Sequence, residues 1–242
     1  MNPGARLVVL GKQGAGKGTQ AVRLSHHYVV PHISTGDMLR AAVRSRSALG
    51  RRASEYLDAG ELVPDEVVVG IVEERLAQDT STQRGFVLDG FPRTVYQAES
   101  LAQFLAPDGL DLVIDLEVDT KHVLRRLAAR RVCVDCGTNY SLINNPPRVA
   151  GICDVCGGEV VQREDDTEAA IKRRLELYER ETAPLIAYYF RERLLEKIDG
   201  LGTPDEVTDR VVAAVDQRKA AIVAQHQALL SERPDLGIQP ST

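Results

Sequence analysis

The chain has no tryptophan, and only 5% of its 242 residues are aromatic. Surfaces that stack nucleic-acid bases need interleaved aromatic side chains, and few are on offer here. An excess of basic charge is missing too. Thirty Lys and Arg face 35 Asp and Glu, for a formal net charge of −5. General affinity for nucleic acid requires the opposite balance, which argues against that class of partner. Long hydrophobic runs are also lacking. The first apolar stretch, Leu7 to Leu10, follows Met1-Asn2-Pro3-Gly4-Ala5-Arg6 and is too short for a secretory leader. No run approaches the roughly 18 apolar residues of a membrane span. A cytoplasmic protein with no membrane or nucleic-acid partner is the expectation. Cysteine is scarce at four, and in a reducing compartment these thiols read as free or metal-bound, not bridged.

What is present suits one large α/β domain with insertions. A hydrophobic fraction of 43% and a charged fraction of 27% are ordinary for a globular chain of this size. Leu7-Val8-Val9-Leu10, Gly85-Phe86-Val87-Leu88-Asp89 and Leu112-Val113-Ile114-Asp115-Leu116 are short, apolar and flanked by turn formers, as buried parallel strands are. Pro31–Ser34 and Leu195–Ile198 are weaker strand candidates. Helical patterns fill the gaps at Ala15–Tyr28, Asp65–Gln78, Thr120–Arg131 and Thr167–Arg193. Such alternation predicts a three-layer parallel sheet with helices on both faces, its ligands at the carboxyl edge of the strands. Residues 35–63 interrupt the pattern as a helical insertion. Residues 129–166 interrupt it again as an irregular one holding every cysteine. That leaves 1–34, 64–128 and 167–218 as the core. Thr203-Pro204-Asp205-Glu206 combines a capping box with proline at the first helical position, so a helix should start there. It should run far into an extension, 219–242, that ends from Ser231 as a loose polar tail.

Two motifs carry chemistry along the predicted strand edge. Gly11-Lys12-Gln13-Gly14-Ala15-Gly16-Lys17-Gly18-Thr19 follows the first strand and opens a helix, the context of a phosphate loop. Backbone N–H groups and the helix N-terminus can cradle phosphate oxygens there, with Lys17 reaching the β and γ phosphates. The hydroxyl that usually follows the lysine is displaced by Gly18 to Thr19, so Mg²⁺ should lean more on nucleotide oxygens, water and a nearby carboxylate. Asp89, at the end of the second strong strand, is that carboxylate. Read structurally, Asp89-Gly90 is a turn and Arg93 a solvated charge.

Taken together, these motifs with Ser34-Thr35-Gly36-Asp37-Met38-Leu39-Arg40 and Asp89-Gly90-Phe91-Pro92-Arg93 followed by Gln97 resemble the signatures of the adenylate kinase family, in order and spacing. The resemblance runs from about Leu7 to about Val215 and includes Arg130-Arg131, Arg163-Glu164-Asp165-Asp166 and Arg174. It departs at Lys12-Gln13, where the family commonly has small residues and proline, and in the longer tail. It implies a P-loop fold in which 35–63 binds the monophosphate and 129–166 is a lid. It places ATP on Gly14, Ala15, Gly16, Lys17, Gly18 and Thr19, with Arg130 closing over it and Gly202 near its adenine. AMP is placed on Thr35, Arg40, Glu61, Leu62, Val63, Gly90, Phe91, Pro92, Arg93 and Gln97. Lys17, Arg93, Arg130, Arg163, Arg174 and Asp89 become the catalytic set. The implied reaction is ATP + AMP ⇌ 2 ADP by a monomer using Mg²⁺. Guanidinium groups suit such work, because phosphoryl transfer to an anionic acceptor needs positioning and charge neutralisation more than a base.

Cys133-Val134-Asp135-Cys136 and Cys153-Asp154-Val155-Cys156 flank residues 137–152, a spacing that fits a four-thiolate Zn²⁺ site in a zinc-ribbon-like lid. Four thiolates leave the metal no open position, so its role is structural; a redox dithiol pair is the competing reading. The rivals for the whole chain are a kinase for CMP, UMP or GMP, an inactive nucleotide-binding partner, and a zinc-ribbon ATPase stimulated by nucleic acid. The acidic balance and scarce aromatics oppose the last. The five histidines show no metal or triad spacing and read as structural or exposed.

Overall fold

The structure, a computed structural model, describes residues 4–44, 51, 53, 54, 56, 63–78, 80–163 and 166–231. Five strands form one parallel sheet: β1 Arg6–Leu10, β2 His32–Ser34, β3 Phe86–Asp89, β4 Leu112–Glu117 and β8 Leu195–Asp199, in the order β2-β3-β1-β4-β8. All the strong strand readings and both weak ones fall on these elements. In β1, Leu7 and Val9 join the apolar cluster on one face of the sheet, while Val8 and Leu10 join that on the other. A strand buried on both sides must be apolar throughout, which is why its sequence shows a run instead of an alternation.

Helices cover both faces. On one lie α1 Lys17–Tyr28, α5 Thr120–Ala128 and α8 Pro204–Ser231. They present Leu24, Leu127 and the stripe Val207, Val211, Val215 to the sheet. On the other lie α3 Asp65–Gln78, α4 Val95–Phe104 and α7 Pro184–Arg191. Their contribution includes Val68, Val72 and Leu76, Ala98 and Leu101, and Leu185 and Tyr189. Spacings of three and four residues in these sets put each on a single helical face. The expected three-layer architecture is present. Helix α2, Thr35–Arg44, follows β2 directly. Most of 45–62 lies outside the described residues, as do Glu164, Asp165 and the tail from 232, so the readings placed there, Glu61 and Leu62 among them, gain no structural account.

Two helical expectations need correction. The helix from Thr120 stops at Ala128, and Arg130–Cys133 form β5 instead, because Arg130, Arg131 and Val132 pair antiparallel with Ser141, Tyr140 and Asn139 of β6, Asn139–Ser141. Residues 167–193 are not one helix. Helix α6, Glu168–Leu177, passes through a π-helical turn at Tyr178–Thr182 before α7 begins with Pro184 at its first turn. Proline has no N–H for the preceding turn, so the ladder must restart there. Strands β5, β6 and β7 (Val160–Val161) make a second, small sheet around Cys133, Tyr140, Cys153 and Val160.

The helix start at Thr203 is local and is as expected. Thr203 N–H donates to Glu206 Oε2 at 2.7 Å, and Glu206 N–H to Thr203 Oγ1 at 3.3 Å. Helix α8 then runs past the sheet. Lys219 ties it to the body: its ammonium donates to Gly4 O and lies 5.6 Å from the Tyr28 ring centre.

Candidate active site

The sheet order turns at β1, whose neighbours β3 and β4 connect to opposite sides. That is where a doubly covered parallel sheet opens a crevice at its carboxyl edge. The chain leaves β1 at Leu10 and curls through residues 11–16 before α1 begins at Lys17 rather than at Ala15. Gly16 makes this possible, holding φ at 108° where a side chain would be strained. No side chain caps α1, so its first N–H groups remain for a phosphate.

Lys17 Nζ donates to the carbonyls of Gly11 at 2.8 Å and Lys12 at 3.0 Å. Burial lowers its pKa to about 8 despite the nearby Asp89 carboxylate, and the charges of Arg93 and Arg130 act in the same direction as burial. Three cations are thus gathered around one loop. Gly18, the departure from the usual hydroxyl residue, has a steric reason: a Cβ there would lie 3.2 Å from Asp89 Oδ2. The carboxylate therefore occupies the space next to the slot that a hydroxyl would fill.

Two acids flank the end of β1. Asp89 on β3 is in register with Val9, and Asp115 on β4 with Leu10. Burial, reinforced by Glu117, raises the carboxyl pKa of Asp115. Sequence reading treated Asp115 as a strand residue only, although a carboxylate inside an apolar run is itself a signal. His32 was read as structural or exposed, and its Nε2 lies 3.7 Å from Asp89 Oδ2.

Beyond β3 a second pocket forms. Thr35 is buried and its hydroxyl donates to Asp89 O at 3.5 Å. Gly90 has φ 84°, and a Cβ there would meet Thr35 Oγ1 at 2.9 Å and Arg93 Nη2 at 3.3 Å. Phe91 and Pro92 are joined by a cis peptide bond, and Arg93 Nε folds back to donate to Gly90 O at 2.8 Å. Gln97 is buried, accepting from Arg93 N–H at 2.8 Å and donating to Asp65 Oδ1 at 2.7 Å. Asp65 also accepts from the Thr94 hydroxyl at 2.6 Å, and Thr94 caps α4. Asp65 is the organiser that sequence reading missed; its place in the first turn of α3 gives it a reason that hides this one. Val63 is buried at the edge of the same region, and Arg40 lies on α2.

Arg130 opens β5. Its Nε donates to Asp166 Oδ2 at 2.7 Å and its Nη2 to Oδ1, a two-pronged pair with a fully buried carboxylate. Asp166 Oδ1 also accepts from Gln13 Nε2 at 3.3 Å. Arg163 follows β7 and Arg174 lies on α6, both partly buried. Gly202 sits on the exposed loop between β8 and α8. Arg126, unremarked in the sequence, joins that loop to the phosphate loop, donating to Ala15 O and to Gly200 O at 2.9 Å each.

The small sheet brings all four cysteines together, with their Sγ atoms within 4.8 Å of one another. Cys133 and Cys156, and Cys136 and Cys153, are 3.5 Å apart, far beyond a disulfide bond of about 2.05 Å. A tetrahedron of thiolates at about 2.3 Å from zinc has edges of roughly 3.8 Å, so the donor set fits such an ion. The two knuckles match. Gly137 N–H donates to Cys133 O at 3.0 Å and Gly157 N–H to Cys153 O at 2.9 Å, with φ near 75° at both glycines.

A sequence model of the family described as adenylate kinase matches residues 9–194. Adenylate kinase of Citrifermentans bemidjiense is 53% identical over 211 residues, 86% of this chain and 98% of that protein. That of Acidothermus cellulolyticus is 52% identical over 212 residues, 87% and 97% of the two chains. That of Thermodesulfovibrio yellowstonii is 48% identical over 215 residues, covering 88% of this chain and all of that protein. With both pockets on one sheet edge and likeness over most of its length, the chain belongs to the adenylate kinase family.

Proposed function

We infer that this adenylate kinase transfers the γ-phosphoryl of ATP to AMP, forming two ADP. The observation that carries the reading is the setting of Lys17, which feels Arg93 from the second pocket and Arg130 from the small sheet at once. An ammonium whose charge feels two guanidinium groups suits a site where two phosphate chains meet end to end.

In this reading the loop from Gly14 to Thr19 holds the ATP phosphates and Lys17 bridges the β and γ groups. The Gly202 loop takes the adenine end. Thr35, Arg40, residues 61–63, Gly90, Phe91, Pro92, Arg93 and Gln97 hold AMP, whose phosphate is already anionic near neutral pH and needs no base. Arg130, Arg163 and Arg174 neutralise the charge that develops between the two nucleotides. Asp89 would hold the waters of the Mg²⁺ that the family implies, and that ion would supply charge neutralisation at the ATP phosphates. Residues 129–166 act as the lid, 35–63 as the monophosphate-binding part, and the remainder to about 218 as the core. Closure of that lid over the nucleotides would keep water from competing as acceptor. Zinc is the metal proposed for the four thiolates, as a structural pin. The working form is a monomer in the cytoplasm; no described helix is long and apolar enough to cross a membrane.

A coupled assay supplying ATP-Mg with AMP, CMP, UMP or GMP in turn tests this. Stoichiometric ADP with AMP alone supports it. Equal turnover with another monophosphate, or ATP hydrolysis with no acceptor, overturns it.

A further inference from the structure

Lys12 and Gln13 are the two phosphate-loop residues to which neither the motif nor the resemblance gives a task. Each reaches out of the loop. Lys12 Nζ lies 3.2 Å from Thr120 Oγ1, at the start of α5, and 3.3 Å from Glu179 Oε1, in the π-helical turn. Gln13 reaches the place where the small sheet joins the body. Arg130 opens that segment and Asp166 closes it, and the two are clasped across its stem. Asp166 is secured on its backbone as well, its N–H donating to Arg163 O at 3.0 Å and its carbonyl accepting from Gln162 Nε2 at 3.3 Å.

We propose that Gln13 is a positioning residue, tying the phosphate loop to the Asp166–Arg130 pair so that the Arg130 guanidinium is set at the phosphates of bound ATP. Nε and one N–H of Nη2 of Arg130 are committed to Asp166, which fixes the plane of the guanidinium and leaves the Nη1 N–H groups and the second of Nη2 as donors for phosphate oxygens. That plane is oriented with respect to the stem, not to the loop that holds ATP. The Gln13 amide supplies the missing link, because it donates to Asp166 Oδ1, the oxygen that also accepts from Arg130 Nη2. The role rests on the AMP-kinase reading above.

The chemistry separates this role from simple packing. Removing the Gln13 side chain leaves Asp166 still paired twice with Arg130, so no buried charge is stranded and the fold loses little. The loss should appear where the loop and the guanidinium must act together. A hydrogen bond to a charged group is worth about ten-fold or more at full strength, so this one, long at 3.3 Å, is expected to cost about five- to ten-fold in kcat/KM for ATP.

Gln13→Ala is expected to lower kcat/KM for ATP by that factor, leave KM for AMP within two-fold, and leave the melting temperature unchanged. In an Asp166→Asn background the same substitution should cost less than two-fold, since the partner it acts through has been altered. Three results overturn the proposal. They are a Gln13→Ala enzyme within two-fold of wild type, an equal loss in both backgrounds, and a loss that follows a lowered melting temperature and a raised KM for AMP together. Wild-type protein that makes no ADP from ATP and AMP overturns the kinase reading as well, so the two failures are distinguishable.

Discussion

Lys17 offers a test in which proton and nucleotide compete. Its ammonium is held against loop carbonyls with its pKa brought down to about 8 by burial. ATP needs it charged, and bound phosphates should push the pKa back up. Below pH 7 more than about nine in ten empty molecules already carry the proton, so affinity should be flat there. At pH 9 only about a tenth do, and each further unit costs about 1.4 kcal/mol, a factor of ten in Kd. Calorimetric titration of ATP between pH 7.5 and 9.5 should therefore show log Kd rising with a slope approaching one above pH 8. Lys17→Arg, whose guanidinium does not titrate there, should bind more weakly at neutral pH yet show no such rise. A wild-type Kd constant within two-fold across that range would refute the argument, since it would mean the lysine is not desolvated before ATP arrives.

The same pKa has the opposite consequence for the empty fold. Lys17 binds its proton less readily folded than unfolded, so stability rises with pH between about 8 and 10.5, by up to about 3 kcal/mol relative to Lys17→Met; parallel pH–stability curves for the two proteins would contradict this. Purified protein should carry one zinc per chain, and Cys133→Ser should lower the melting temperature by roughly 5 °C, about 2 kcal/mol for a chain of this length, while activity in the cold persists. Identical melting curves with and without chelator would count against the metal. Gly90→Ala should raise KM for AMP several-fold and cost about 1–2 kcal/mol, since its Cβ would press on Thr35 and Arg93 at a φ that disfavours it; an unchanged KM sinks that reasoning. Truncation after Ala221 should leave melting temperature and turnover intact. Truncation after Asp216 should cost about 1 kcal/mol by removing Lys219 from Gly4 and Tyr28, and two indistinguishable truncations would say that Lys219 contributes nothing.

Features set by neighbours in sequence could be read without coordinates. The box at Thr203 and Glu206 closes within one helical turn, and each cysteine knuckle closes on its own glycine. Strands such as Leu7–Leu10 and Leu112–Leu116 announce themselves because burial on both faces leaves no room for polar residues. What the sequence concealed is decided across long separations. Gln97 was read as a contact for AMP, while its amide is held by an aspartate 32 residues away. Gln13 and Asp166 are 153 residues apart, and nothing local to either suggests the other. Arg130 and Arg131, the first two residues of the strand Arg130–Cys133, were taken for a helix end for a similar reason: they suit one, and only pairing with β6 and β7 decides otherwise.

Arg126 has a mechanical consequence. One guanidinium grips a carbonyl of the loop that curls around phosphates and another of the loop before Gly202. In the reading proposed above a long nucleotide would lie along both loops, and these two bonds oppose their parting. On that reading Arg126 would act as a gauge of how far a base stands from its last phosphate, leaving opening and shutting to the parts outside these loops.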